Sequence, residues 1–373
     1  MTARHRPPAG KSWYSGLALL LALATSGVLL SLPTPQVDTG PPTLATVWKN
    51  ARPSSAPLQL ADGTGYSPLI YFDAQTALGT APTRDGTAVR LLLRVGNNPP
   101  TELRRLATSL NPQWSAFTAS GDDVVWAEWT APTQGRAETR LWRGSWRHPG
   151  VVPVSLTADT GEILFFNSSY DLVVNGGRVY WASAAPSAQP QTEIRWVPLS
   201  GGPNTAATVR VIAGGYSLSA WPWLISASSG PSAAIELLNL DSGQRIRVPA
   251  SSTELVTCSP AWCRTLVLSA STGPVRLDMM RPDGSDRRRV AGSMASAAVQ
   301  DVGLLDRFEV VSQASSTGSL ASQQLFIYDT VHAKLVRVAN GVGIVQARGA
   351  MLWWSTGDND TLEWHALDLR TLT

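Results

Sequence analysis

From residue 43 to residue 373, short apolar runs alternate with clusters of Gly, Asp, Asn, Ser and Pro, and no amphipathic helical period emerges. Runs rich in β-branched and aromatic residues, bounded by turn formers, predict β-strands. One strand type recurs, a turn followed by an aromatic or branched run that ends in small residues. Centred on Trp126, Tyr180, Leu224, Val267, Val310 and Trp353, it repeats at intervals of 54, 44, 43, 43 and 43 residues, with an earlier member at Leu69–Ala74. A second type follows a dozen or so residues later, as in Arg140–Trp146, Glu193–Leu199 and Gln324–Asp329. A third, shorter strand follows six of these, as in Thr208–Ala213 and Lys334–Ala339, and a weakly apolar strand leads each unit, as in Glu254–Cys258.

Four strands per unit in seven units predict an all-β chain, a seven-bladed β-propeller of four-stranded antiparallel blades. A lone blade cannot bury its two faces, whereas ringed blades bury them against one another and leave only short edges open. The seventh unit ends at Thr373 just after its third strand, so its outer strand is lacking. The segment 43–50, TLATVWKN, is expected to supply it and close the ring, ahead of a first inner strand near Leu58–Leu60.

Residues 13–32 form an uncharged apolar stretch, preceded by Arg4, Arg6 and Lys11 with no acid in residues 1–32. Twenty residues at about 1.5 Å each span about 30 Å, one bilayer core. The charge bias puts residues 1–12 inside, as a basic cytoplasmic region, and exports the remainder. Two readings stay open. One is an uncleaved anchor, preferred because the apolar run continues through Val28–Leu30; the other is a signal peptide cleaved after Ala22-Leu23-Ala24 and a secreted product. Residues 33–42 are a Pro-rich linker. A sensory ectodomain is disfavoured, because 12 residues cannot hold a cytoplasmic output domain.

Composition narrows the class. Charged residues are 15% of the chain against a usual share of about 25%, with 43% hydrophobic, which excludes a disordered chain. The net charge of +3 comes from the three N-terminal bases, so the body is neutral and no nucleic-acid partner is expected. Cys258 and Cys263 are the only cysteines, at C-x4-C spacing. That spacing lacks the ligands of a metal site and departs from the C-x-x-C redox motif, so a local disulfide in an oxidising compartment is expected.

The tryptophans on the second and third strands (Trp126, Trp129, Trp142, Trp146, Trp181, Trp196, Trp353, Trp354, Trp364) are read as packing between blades. Trp262, inside the disulfide turn, is the one expected to be an exposed contact. Arg287-Arg288-Arg289 reads as a solvated edge strand whose alternation splits the charges between faces. Asn167-Ser168-Ser169 matches the glycosylation acceptor pattern, which is short and common by chance. No H-E-x-x-H, G-x-S-x-G, Walker or dinucleotide pattern occurs, so no catalytic residue, cofactor or metal is assigned.

Asp278–Val290, where a strand ends in the Asp283-Gly284 turn and a short Arg-containing strand follows, resembles the repeat of TolB-type and WD40-like propellers. Ile235–Val248 and Leu325–Val338 share the layout. The resemblance implies the propeller fold and an envelope location; it transfers no functional residue. TolB proteins carry a separate N-terminal α/β domain and typically six blades, neither of which this chain offers. The expected function is a non-catalytic, membrane-anchored platform in the cell envelope, binding a protein, a peptide or a glycan. The alternative is a glycan-active hydrolase or lyase with carboxylates around the axial funnel.

Overall fold

The structure is a computed structural model describing residues 40–226, 235–269, 273–292, 294–314, 323–358 and 361–373. The expectations placed on residues 1–12, 13–32 and 33–39 lie outside the described residues. Among the described residues no helix is long and apolar enough to cross a membrane. Pro42–Thr373 forms one compact unit.

That unit is all-β. Its first sheet comprises Ser67–Tyr71, Thr76–Pro82, Ala88–Val95 and Thr101–Ala107; its second, Gln113–Ser120, Asp123–Thr130, Glu138–Ser145 and Val154–Thr157. In the third, two short strands, Glu162–Ile163 and Val173–Asn175, both pair with Arg178–Ala184, followed by Gln191–Pro198 and Thr208–Ala213. The fourth holds Tyr216–Leu218, Trp223–Ser226, Ile235–Asn239 and Arg245–Val248; the fifth, Glu254–Cys258, Cys263–Ser269, Gly273–Met280 and Arg288–Gly292. All pairings named here are antiparallel, and all but that of Glu162–Ile163 with Arg178–Ala184 run from a strand to the next.

The last sheet has seven strands, Ala295–Ala297, Phe308–Ala314, Gln323–Asp329, Lys334–Arg348, Met351–Thr356, Glu363–Asp368 and, from the other end of the chain, Ser54–Pro57. Lys334–Arg348 serves two neighbours. Its first part, to Val342, pairs with Gln323–Asp329, and the part from Val342 onward pairs with Met351–Thr356. One strand thus ends one four-stranded arrangement and begins the next.

The apolar clusters fill the spaces between consecutive sheets. Leu78 and Leu91 meet Phe117 and Trp126; Val125 and Leu141 meet Val179 and Trp181; Tyr180 and Ile194 meet Leu224 and Leu238. Leu237 meets Cys263 and Met280, and Met279 meets Val311 and Phe326. The series returns to its start, where Tyr71 and Ala77 pack against Met351, Trp353 and Trp364. Every sheet therefore buries both faces, the condition that the repeat imposes.

Three expectations need correction. The segment 43–50 supplies no strand. Leu44–Val47 is a single helical turn whose Leu44 and Trp48 sink into the apolar cluster around Phe308. The added strand is Ser54–Pro57, paired with Glu363–Asp368 (Ser54 opposite Ala366, Pro57 opposite Glu363). Its alternation of half-buried and exposed positions carries little apolar signal, whereas Leu44, Val47 and Trp48 fall at helical spacing. The first sheet begins at Ser67 rather than near Leu58. Leu69–Ala74 accordingly belongs to the first strand and the turn after it, while the second is Thr76–Pro82, whose small residues hid it. Gly79 there is required by packing, since a Cβ would lie 2.7 Å from Tyr66 Cζ.

Candidate functional site

The third sheet departs from the others. Its leading strand breaks after Ile163 and resumes at Val173, and residues 164–172 leave the sheet. Gly161, just ahead of Glu162–Ile163, and Asn167, within the excursion, both adopt positive φ (63° and 60°), a conformation that glycine and asparagine tolerate best.

Asp171 folds the excursion on itself. Its Oδ1 accepts the Phe166 N–H (2.9 Å) and its Oδ2 the Ser168 N–H (3.1 Å). Groups distant in sequence then hold it. Ser168 Oγ donates to Asp301 Oδ1 (2.6 Å) and the Ser169 N–H to Asp301 Oδ2 (3.0 Å), from the loop ahead of Phe308–Ala314. Arg348 Nη1 donates to the Ser168 carbonyl (2.9 Å) and to the Phe117 carbonyl (3.0 Å) of the second sheet, while the Gly349 N–H reaches Ser169 Oγ (3.0 Å). Residues 164–172 thus form a hub joining the second, third and last sheets.

Three cavities surround the hub. One of about 450 Å³ is walled by Tyr71, Phe72, Trp146, Tyr170 and Trp221, with Arg348 and Arg370 as its charged residues. A second, of about 310 Å³, is lined by Asp171 and Asp301 together with the hydroxyls of Ser168, Ser217, Ser219, Thr257 and Ser259. A third, of about 270 Å³, lies between Arg264 and Arg348.

Burial dominates the electrostatics here. It pushes the Asp171 carboxyl up to about 6, against the opposing pull of the Phe166 and Ser168 N–H groups and the Arg348 charge; the Asp301 carboxylate adds to the rise. Burial also pushes the Tyr170 phenol up to about 12 and the Arg348 guanidinium below its usual range. A carboxyl that titrates near 6 inside a polar cavity can exchange protons with a bound molecule at physiological pH. Among the described residues no cluster of three or more His, Cys, Asp or Glu could hold a metal ion.

Cys258 and Cys263 face each other across a hairpin and are joined by a disulfide. Trp262 is not an exposed contact. It is 2% exposed, its Nε1–H donates to the Asp306 carbonyl (2.9 Å), and the Arg281 guanidinium covers its ring at 3.7 Å. A turn position did not keep it in solvent, because the loop carrying Val302–Leu304 folds over it. Trp126, Trp181, Trp353, Trp354 and Trp364 are buried between sheets. Asp171, Asp301 and Arg348 were not singled out from sequence; Asn167–Ser169 drew notice only as an acceptor pattern. The available signal was spacing. The interval from Trp126 to Tyr180 exceeds the later ones by about ten residues, close to the length of the excursion.

No family model matches the chain, and no curated protein matches it. Similar solved structures exist. A prolyl endopeptidase structure matches 98% of this chain over 55% of its own, at 12% identity and a TM-score of 0.48. The β-propeller domain of the Trilobed protease from Pyrococcus furiosus matches 68% of this chain over 80% of its own, at 9% identity and a TM-score of 0.43. A TolB-type protein from Agrobacterium tumefaciens matches 72% over 92%, at 12% identity and a TM-score of 0.37. The TolB-like propeller pattern read from the repeat therefore recurs among solved structures. At such identities the likeness concerns fold, and this chain spans about half of the prolyl endopeptidase. The expectation of a non-catalytic binding platform is corrected by these findings: two of these three similar structures are those of a prolyl endopeptidase and of a protease's propeller domain.

Proposed function

We propose that this chain is a peptidase-like hydrolase of propeller form, with Asp171 as the acid–base group of a cavity that receives a peptide. The observation that carries this reading is a carboxyl raised to about 6, placed with Asp301 in a hydroxyl-lined cavity of about 310 Å³. As a carboxylate, Asp171 takes a proton from water as the water oxygen bonds to the scissile carbonyl carbon. It returns that proton to the departing amine nitrogen as the C–N bond breaks, so atoms and charge balance. Asp301 is a positioning residue, since it fixes Ser168 and Ser169 beside Asp171.

The reading includes seven blades. It is supported by the apolar contact returning from Trp353 to Tyr71, by Lys334–Arg348 serving two four-stranded arrangements and by Ser54–Pro57 completing the last one. It also places the propeller outside the membrane, tethered by residues 13–32 or released by cleavage, a placement supported by the basic residues ahead of the apolar run and by the disulfide. Of the partner classes expected, the peptide is the one this chemistry takes.

The purified full-length chain should hydrolyse members of a mixed peptide library, with a rate that falls as pH drops through about 6. Asp171→Asn should remove at least about 100-fold of that rate. A folded chain that cleaves no peptide, or an Asp171→Asn variant of unchanged rate, overturns the proposal.

A further inference from the structure

The cavity of about 450 Å³ has a chemistry of its own. Its lining contains two arginines and no carboxylate. Arg370 at one end is already neutralised, with both carboxylate oxygens of Asp368 bonded to its guanidinium (2.8 and 2.7 Å). Arg348 is not. Its oxygen partners are two backbone carbonyls and, at 3.4 Å, the neutral amide of Asn167. Among the described residues no carboxylate makes an ion pair with it, and its Nε–H is buried without a partner. The residue is nine-tenths buried and lines both this cavity and the one beside Arg264.

Asp171 and Asp301 act on the Arg348 charge from nearby without bonding to it, so the guanidinium keeps donors that no carboxylate directly engages, and a planar carboxylate suits such donors. The walls specify the remainder of the ligand. Tyr71, Phe72, Trp146 and Trp221 supply large apolar surface, and the volume lies within the range of small-molecule sites.

We propose that this cavity is a binding site for an organic carboxylate bearing an aromatic or large apolar group, with the carboxylate on Arg348 and the apolar group against Phe72, Trp146 and Trp221. Two sources share that chemistry, a free aryl-alkanoic acid and the C-terminal residue of a peptide. The site is separate from the cavity of Asp171 and stands whether or not the chain cleaves peptides.

Calorimetry on the full-length chain tests it with 3-phenylpropionate, its amide, and Gly-Gly-Phe as free acid and as amide. At least one acid should bind at least about 10-fold more tightly than its amide, and which acid binds identifies the source. Arg348→Met should abolish the difference. Because Arg348 also holds the hub, Ala119→Trp, which adds bulk at a lining position that makes none of those bonds, provides a second check and should weaken acid binding at least about 10-fold. Equal binding of acid and amide, no binding of either acid, or unchanged binding by Ala119→Trp overturns the proposal.

Discussion

Trp353 and Trp354, adjacent in sequence, pack into different cores. Strand alternation sends one toward Tyr71 and the other toward Leu325 and Leu367, so a single aromatic pair ties two sheet interfaces. Trp262 shows the same economy in a turn. Trp262→Ala should lower stability by about 3–5 kcal/mol, because it empties a buried volume and strands the Asp306 carbonyl; urea unfolding at neutral pH measures this. Asp329 offers a test through pH. Burial would push its carboxyl up, but the Arg307 guanidinium, His332 and the Val331 N–H outweigh burial and hold it down to about 2. The folded state therefore releases this proton more readily than the unfolded one. The resulting stabilisation is present above pH 4 and disappears as pH falls from about 4 to 2. Asp329→Asn should flatten the stability profile in that window, as followed by denaturant titrations at several pH values. Asp171 has the opposite sign. Its proton is held more tightly in the folded chain, so its contribution should favour folding as pH falls through about 6, and Asp171→Asn should remove that slope.

At the scale of the element, the helical turn Leu44–Val47 shows how a short apolar motif finds a packing role rather than a pairing role. Trp48→Ala should cost about 3–5 kcal/mol, because that ring lies edge-on to Phe308 at 6.0 Å inside a continuous core; thermal unfolding of the variant decides this. Strands with aromatic and branched residues were legible because period and composition coincide, as in Val124–Trp129 and Arg178–Ala184. Thr76–Pro82 and Ser54–Pro57 were not. In the first, small residues pack against large neighbours such as Tyr66, and the second is half-exposed and placed by its pairing with Glu363–Asp368, so the information sits in the partners rather than in the segments themselves. In the run Arg287–Arg289, Arg287 precedes the strand Arg288–Gly292 and turns to Glu254 and Asp278, while Arg288 turns to Asp286 and the Thr330 carbonyl.

For the whole molecule, the hub matters most, and it was the least visible from sequence. Asp171, Asp301 and Arg348 lie 130 and 47 residues apart, so no local pattern could assemble them. Only the lengthened interval before Tyr180 marked the place. Asp301→Ala leaves the Ser168 hydroxyl and the Ser169 N–H without their acceptor and should destabilise the chain by about 1–3 kcal/mol. Unfolding should remain a single transition, since sheets two, three and the last share these bonds; two separated transitions by calorimetry would contradict that coupling.

Lys334–Arg348, one uninterrupted strand with partners on both sides, constrains how such a chain can vary over evolutionary time. Loops between other sheets can absorb an extra residue locally. Here an extra residue must be taken up by a bulge, as the register shifts opposite Leu325 and Phe326 and between Val342 and Val345 already do, or it turns later side chains to the other face and misaligns Gln323–Asp329 or Met351–Thr356. Homologues should therefore keep the spacing between the residues equivalent to Lys334 and Arg348 fixed, while gaining and losing length elsewhere.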